Sequence, residues 1–381
     1  MKKIYLDNNA TTPLAPEVLA VLAKAFADDL VNPSSMHWFG QRAKAQLSLA
    51  REKIAAFLGI HPREVLFTSG GTESINFLMR GIAGHLPKGK IITSNVEHSA
   101  VEATLEVLEK EGWLIERLPV GLYGAVKEDQ VRAAIDDKTR CIVLSAVNSE
   151  TGIKAPIEEI ASLADQMGIP FIVDGVAWLG KASFTLHPGV TGIAFSSHKI
   201  HGPKGVGLAV VRSSLKKIPS LLTGGSQEFG KRAGTENLEG ILGLATAVEL
   251  LETALPQAEL HMKNVRDRLE KALIEQCGAI INGDGPRICN TSNLAFPGID
   301  GETLLIHLDL VGIAVSHGSA CSSGSLEPSR VLLNMGLPRE IVRSSIRFSI
   351  SRFTSMEEIE EAIFRISQIV PKPQLVKETS A

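Results

Sequence analysis

Lys199 follows the apolar run GIAF, inside SSHKIHGPKG (196–205). A lysine at the carboxyl end of a buried strand lies where open α/β sheets place their ligands. Its amine can form a Schiff base with a carbonyl. A solvated surface lysine is the alternative for the residue taken alone. Its neighbours favour chemistry: Ser196 and His198 are phosphate-binding types, and Gly202-Pro203 makes a sharp turn. In FTSGGTES (67–74) an apolar run enters Gly70-Gly71-Thr72 and then a helical pattern. Glycines let the backbone approach an anion, and a helix start offers N–H groups and a positive dipole end. An ordinary glycine turn with Thr72 as N-cap would look the same. Asp174 closes PFIVD (170–174), where it either caps a helix or keeps a pyridine nitrogen protonated. His98, in NVEHSAV (95–101) after KIITS, carries a planar ring that can stack and exchange protons near neutrality; a structural histidine is the other reading. Together these residues supply a carbonyl-reactive lysine, a phosphate cradle, a pyridinium partner and a stacking ring. That combination describes a pyridoxal phosphate site.

Cys321 raises a separate question. It sits in SHGSACSSG (316–324), among small and polar residues unable to form a core. Buried cysteines usually lie among aliphatic side chains, whereas reactive ones are accessible. The other cysteines are Cys141 in an apolar run, Cys277 in a helical stretch and Cys289 in a loop-like segment. The first two read as packing residues, and Cys289 is given no role.

The elements that must position these groups alternate. EVLFTS (64–69), KIITS (90–94), CIVLSAV (141–147), PFIVD (170–174), GIAFSS (192–197) and GVGLAVV (205–211) read as buried strands. Helical patterns lie between them, as in ESINFLMRGIAG, SAVEATLEVLEKEG and PIEEIASLADQMG. This predicts an α/β domain with a mainly parallel sheet. After residue 240 a long helical stretch follows, with Pro256 expected to break or bend it. Short strand-like pieces, NTSNLAFPG and GIAVSHG, and a helical tail at SMEEIEEAIFRISQIV suggest a second, α+β domain.

Composition bounds the function. The 381 residues suit one large domain plus a smaller one. A net charge of −3 gives no basic field for nucleic acid. No run of about 18 apolar residues predicts a membrane span. The start, MKKIYLDNNATTP, lacks the apolar core of a signal peptide. Four cysteines without a CxxC pair are too sparse for a disulfide scaffold and suit a reducing cytoplasm.

Eight blocks in order resemble the cysteine desulfurases of the NifS/IscS family, in the class V aminotransferase group. They are YLDNNATTP (5–13), NPSSMHWFG (32–40), FTSGGTES, VEHSAV, SSHKIHGPKGVG, RAGTEN (232–237), GSACSSGSLEPSRVL (318–332) and SSIRFSISRFT (344–354). The resemblance implies a fold type I, pyridoxal 5'-phosphate-dependent homodimer with a mainly parallel seven-stranded sheet. The large domain would span 14–253, and the small α+β domain 1–13 with 254–381. In the family's roles, Lys199 carries the cofactor, Asp174 pairs with its ring nitrogen and His98 stacks on the ring. Gly71, Thr72, Ser196 and His198 hold the phosphate, and Thr235 reaches the phosphate of the neighbouring subunit. Arg347 clamps the substrate carboxylate and Asn148 contacts cofactor and substrate. Cys321 matches the nucleophile, which would take sulfur from L-cysteine as a persulfide and release L-alanine. The implied recipient is a sulfur-acceptor or iron–sulfur scaffold protein, with tRNA thiolation as a further implied outlet.

The sequence also departs from the family pattern. Ala177 stands where a glutamine usually donates to the cofactor's ring oxygen, and Gly175 replaces an alanine. Ser149 replaces a common asparagine, and Phe229 and Lys231 replace common arginines. A selenocysteine lyase and a weakened assembly scaffold are the competing readings.

Overall fold

The computed structural model describes residues 2–28, 30–215, 218–318 and 328–370. A short strand β1 (Ile4–Tyr5) opens the chain. Seven strands then form the main sheet: β2 (Val65–Thr68), β3 (Lys90–Ser94), β4 (Leu114–Leu118), β5 (Thr139–Ser145), β6 (Phe171–Asp174), β7 (Gly192–Ser196) and β8 (Gly207–Val211). Their order is β2-β8-β7-β6-β5-β3-β4. The pairs from β7 across to β4 are parallel, and β8 runs antiparallel to both neighbours. The expected mainly parallel seven-stranded sheet is therefore present.

Side-chain alternation explains how the sheet is covered on both faces. From β6, Phe171 and Val173 join one core with Ile54, Ile160 and Leu244, while Ile172 faces the other with Leu78 and Leu105. Strand β5 does the same: Ile142 and Leu144 enter the first core, Cys141 and Val143 the second. Helices therefore lie on both faces. β4 was not among the strands singled out from the sequence. It is one of the sheet's two edges, and its LIERL is only partly buried, so the apolar run that marks a buried strand is missing.

The helix Leu238–Cys277 runs for 40 residues with Pro256 inside it. Of the expected break or bend, the break does not occur. Buried Leu251 and Leu255 precede the proline and buried Ala258 and Met262 follow it, so tertiary packing holds both halves in one helix. Its first half packs in the main core and its second half in a separate one. That second core is completed by β9 (Ile280–Ile281), β10 (Thr291–Ala295), β11 (Ile313–Ala314), β12 (Ser345–Ser349) and the helix Met356–Ile369. β12-β10-β9 form an antiparallel sheet, and β1 pairs with β11 in parallel. The final helix starts with a Ser355/Glu358 capping box, as SMEEIEEAIF suggests.

Candidate active site

The chain steps outward from β3 to β4, then returns past β3 to β5, β6 and β7. The strand order reverses between β3 and β5, and open α/β sheets bind ligands outside the strand ends at such a point. A cavity of about 420 Å³ lies there, within the range of small-molecule sites. His98 reaches it from the loop after β3, and Asn148 from the loop after β5. Asp174 closes β6, Ser196 closes β7, and His198 and Lys199 lie in the tight turn that follows. Gly71 and Thr72 begin the helix Gly71–His85 and also line the cavity. Residues spread over more than 120 positions of sequence thus meet at one place because parallel strands end on one side.

Local bonding fixes these groups. The Ala100 N–H donates to His98 Nδ1 at 3.1 Å, which leaves the ring proton to Nε2. Asn148 Nδ2 donates to the Val96 carbonyl at 3.0 Å, while its Oδ1 accepts the Glu150 and Thr151 N–H groups, each at 3.0 Å. Lys199 Nζ donates to the carbonyls of Asn9 and Ala10, the latter at 2.9 Å. His198 Nδ1 is 3.1 Å from Thr11 Oγ1. Burial lowers the His198 pKa to about 4, with Lys199, Lys181 and Lys204 adding to the effect. The imidazole is therefore neutral at pH 7.

Two buried acids set the field on the opposite side. Burial raises the Asp174 pKa, opposed by His98, the Val176 N–H and Lys199. Its Oδ1 accepts that N–H at 3.0 Å. Glu97 is pushed up to about 7 by burial, with Asp174 adding to the rise and bonds from Ser145 and Ser94 opposing it. A carboxylate sealed at a strand end and aimed at a cavity is costly unless a cation meets it. A protonated pyridine nitrogen fits that position. At the other end, the first helical bond of Gly71–His85 runs from Ser74 N to the Gly70 carbonyl at 3.1 Å. The N–H groups of Gly71 and Thr72 precede it and have no helical acceptor. With Ser196 and neutral His198 they form a donor set suited to a phosphate. The donors present thus fit pyridoxal phosphate.

A family model described as class-V aminotransferase matches residues 4–362. The cysteine desulfurase of Trichormus azollae is 42% identical over 376 residues, which cover 98% of this chain and 94% of that protein. The chain belongs to the cysteine desulfurase family. Its class, the class-V aminotransferases, is pyridoxal-phosphate-dependent. A solved structure titled "NIFS-LIKE PROTEIN" superposes with a TM-score of 0.90 at 35% identity, covering 97% of this chain and 99% of that one. "SspA in complex with cysteine" gives 0.82 at 32% identity, covering 92% of this chain and 100% of that one.

Two residues to which the resemblance assigns roles lie apart from the cavity. Thr235 is exposed and does not line it. Arg347, on β12, is 2% exposed and also lies outside its lining. Its Nη2 bonds Asp7 at 2.8 Å and its Nη1 the Ser149 carbonyl at 3.2 Å, while its Nε is buried without a partner. Ser149 itself lines the cavity, so Arg347 stands behind that wall with one donor unspent. Cys321 lies outside the described residues. The three described cysteines are buried and unlinked. Burial pushes Cys277 up to about 11 and Cys289 up to about 12, and raises Cys141 further. None is a thiolate at neutral pH.

The sequence reading missed several wall residues. Glu97, Glu150, Lys181 and Ser329 all line the cavity. Ser329 Oγ donates to Glu150 Oε2 at 2.5 Å, and the Arg330 guanidinium donates to the carbonyls of Asn95 and Glu97. Adjacency to His98 was the one available signal for Glu97; nothing in the local pattern marks Lys181. Ala177 lines the cavity where the family's glutamine would stand. The neighbouring Trp178 does not line it; its ring stacks on Phe184 at 4.1 Å.

Proposed function

We propose that this chain binds pyridoxal 5'-phosphate in the cavity at the β3/β5 crossing and converts L-cysteine to L-alanine, passing the sulfur to Cys321. The observation that carries the reading is the convergence of Lys199, Asp174, His98, Gly71 and Thr72 on one cavity. When bound, the cofactor supplies an electron sink conjugated to the substrate's amino group. Lys199 would hold it through its amine. Asp174 would keep a proton on the ring nitrogen, and the His98 ring, fixed by the Ala100 N–H, would lie against the ring. Gly71, Thr72, Ser196 and His198 would hold the phosphate, while Asn148 would border both cofactor and substrate. Arg347, released from Asp7 and the Ser149 carbonyl toward the cavity, would receive the substrate carboxylate, a task suited to a planar fork. The Cys321 thiolate attacks the substrate sulfur. A sulfur–sulfur bond forms, the carbon–sulfur bond breaks, and the former substrate carbon takes up a proton to become the methyl group of alanine. The products are alanine and a Cys321 persulfide.

The same reading extends to assembly. Thr235 is exposed on its own subunit, and the first two helices expose Leu19, Phe26 and Trp38. A homodimer that covers this apolar surface and brings Thr235 to the partner's phosphate accounts for both. The chain divides near residue 253, where the long helix passes between the two cores. The persulfide goes to an acceptor or iron–sulfur scaffold protein in the cytoplasm. Among the described residues, no helix is long and apolar enough to cross a membrane.

The test is an absorbance spectrum with and without L-cysteine, followed by alanine quantitation. Cys321→Ser is expected to keep the spectral response to cysteine and release no sulfide above background. Normal alanine production by that variant would remove Cys321 from the reaction.

A further inference from the structure

The Arg347 guanidinium already has a carboxylate partner. Its Nη2 donates to Asp7 Oδ1 at 2.8 Å. The same oxygen accepts the Ser316 hydroxyl at 2.9 Å. The main chains of both partners are held. Asp7 follows β1 and bridges Ser349 of β12. Beside it, the Leu6 N–H donates to the Ala314 carbonyl at 2.9 Å and the Asn8 N–H to the Ser349 carbonyl at 3.0 Å. Arg347 lies in the middle of β12, opposite Asn293 of β10, and exchanges backbone bonds with Ser316. Only the side chains are left to move. A swing of the guanidinium toward the cavity therefore breaks the pair and leaves Asp7 in place.

The surrounding charges turn that separation into an exchange. A second acid, buried Glu150, faces Arg347 without an ion pair between them, and also faces Arg330 and His98. A substrate carboxylate would be the third beside a guanidinium that is 2% exposed. Like charges gathered in a desolvated space repel strongly. Asp7 is the acid able to withdraw. Its side chain is 16% exposed, so solvent and the Ser316 hydroxyl remain to it after release. Glu150 lies deeper and is bonded to Ser329.

We propose that Asp7 competes with the substrate carboxylate for Arg347, so that binding exchanges one carboxylate for the other and Asp7 sets the affinity. This deepens the reading of Arg347 given above and rests on it. Asp7 acts through Arg347 and is a positioning residue. Ligands that bring a carboxylate displace it, and amines that lack one do not.

The test titrates the cofactor-loaded full chain with L-alanine and with ethylamine, the same amine without the carboxylate, and reads the cofactor absorbance. Asp7→Asn keeps the shape and an acceptor for Ser316 but removes the competing charge. It is expected to tighten L-alanine roughly tenfold, as for loss of a close like charge, and to leave ethylamine unchanged. The melting temperature of the cofactor-free chain should fall, because an ion pair is lost. A merely structural contact would lower affinity and melting temperature together. Ser316→Ala strips the released Asp7 of a donor and is expected to weaken L-alanine roughly two- to threefold; it decides the matter where Asp7→Asn does not fold. Equal or weaker L-alanine binding in folded Asp7→Asn overturns the proposal, as does an equal gain for ethylamine or unchanged L-alanine binding in Ser316→Ala. Arg347→Lys tests the underlying reading separately. If it weakens L-alanine and spares ethylamine while Asp7→Asn changes nothing, the exchange falls and the role of Arg347 stands. If it leaves L-alanine unmoved, Arg347 does not receive the carboxylate and both readings fall.

Discussion

The carboxyl ends of β3, β5, β6 and β7 and the edge of the small antiparallel sheet hold polar groups in different ways. At the main sheet the strand centres are apolar, and the polar residues that line the cavity come at or just after the strands' last positions. Backbone direction alone brings Asp174, Ser196 and Lys199 to the cavity. In the small sheet polar side chains lie both within the strands and just beside them. Asn282 donates to Asn293 Oδ1 at 2.7 Å and to Ser345 Oγ at 2.8 Å, Asn290 donates to Asn9 Oδ1 at 3.0 Å, and Arg347 pairs with Asp7. That region is a buried hydrogen-bond network, in which removing one partner leaves another unsatisfied. One region is arranged by topology, the other by side-chain pairing.

Substitutions can break this contrast. The largest effect is expected for Asp174→Asn, which keeps the shape and removes the buried strand-end carboxylate assigned to the cofactor's ring nitrogen. Loss of a preorganised electrostatic partner costs about 10²–10³ in kcat. Steady-state alanine production with melting curves checks it; a large drop in melting temperature with unchanged kcat would assign Asp174 to structure. Arg347→Lys is expected to raise the KM for cysteine roughly 10- to 100-fold, through loss of a charge-assisted fork. It should also lower stability, because Asp7 loses its bidentate-capable partner. A change in stability with no change in KM would confine Arg347 to the network.

Glu97 supplies a pH test at the topological end. Its pKa is about 7 in the folded chain against an ordinary 4.5, so the folded state holds the proton over that interval and the unfolded state does not. Its contribution is fully present below about pH 4.5 and is lost as pH rises through 7. The loss amounts to about 3 kcal/mol for a shift of that size. Glu97→Gln should flatten the fall in stability between pH 5 and 7.5, read by urea unfolding at each pH. Parallel stability profiles would show that Glu97 titrates normally. The smallest effect is expected for Ala177→Gln. A restored hydrogen bond to the cofactor's ring oxygen, worth about 0.5–1.5 kcal/mol, should lower the titration midpoint of the cofactor absorbance by up to about one pH unit. Since Trp178 stacks on Phe184, its indole does not line the cavity to replace the missing donor. Superimposable titrations would point to another donor.

Legibility followed the same division. The ends of β6, β7 and the fully buried edge strand β2 were readable because continuous apolar runs stop abruptly at Asp174, Ser196 and the Gly70-Gly71 turn. The edge strand β4 was not, since it carries Glu116 and Arg117 in a half-covered position. Pro256 does not end its helix because packing on both of its flanks outweighs the local backbone rule. Glu97 and Lys181 were passed over because their environment comes from other segments: Ser145 and Asp174 around one, Lys199 and Cys289 around the other.

The sequence by itself determined the family, the alternating α/β plan and the residue types that meet at the strand ends. Those follow from apolar periodicity and from ordered motifs, both local properties of the chain. Only the tertiary structure decided that Arg347 stands behind Ser149 and is paired with Asp7, and that a second amine lies against the Lys199 turn. It also decided that three of the four cysteines are sealed from reaction. Burial and long-range pairing set these outcomes, because the charge state of a group depends on the solvent and partners it loses when distant segments close around it.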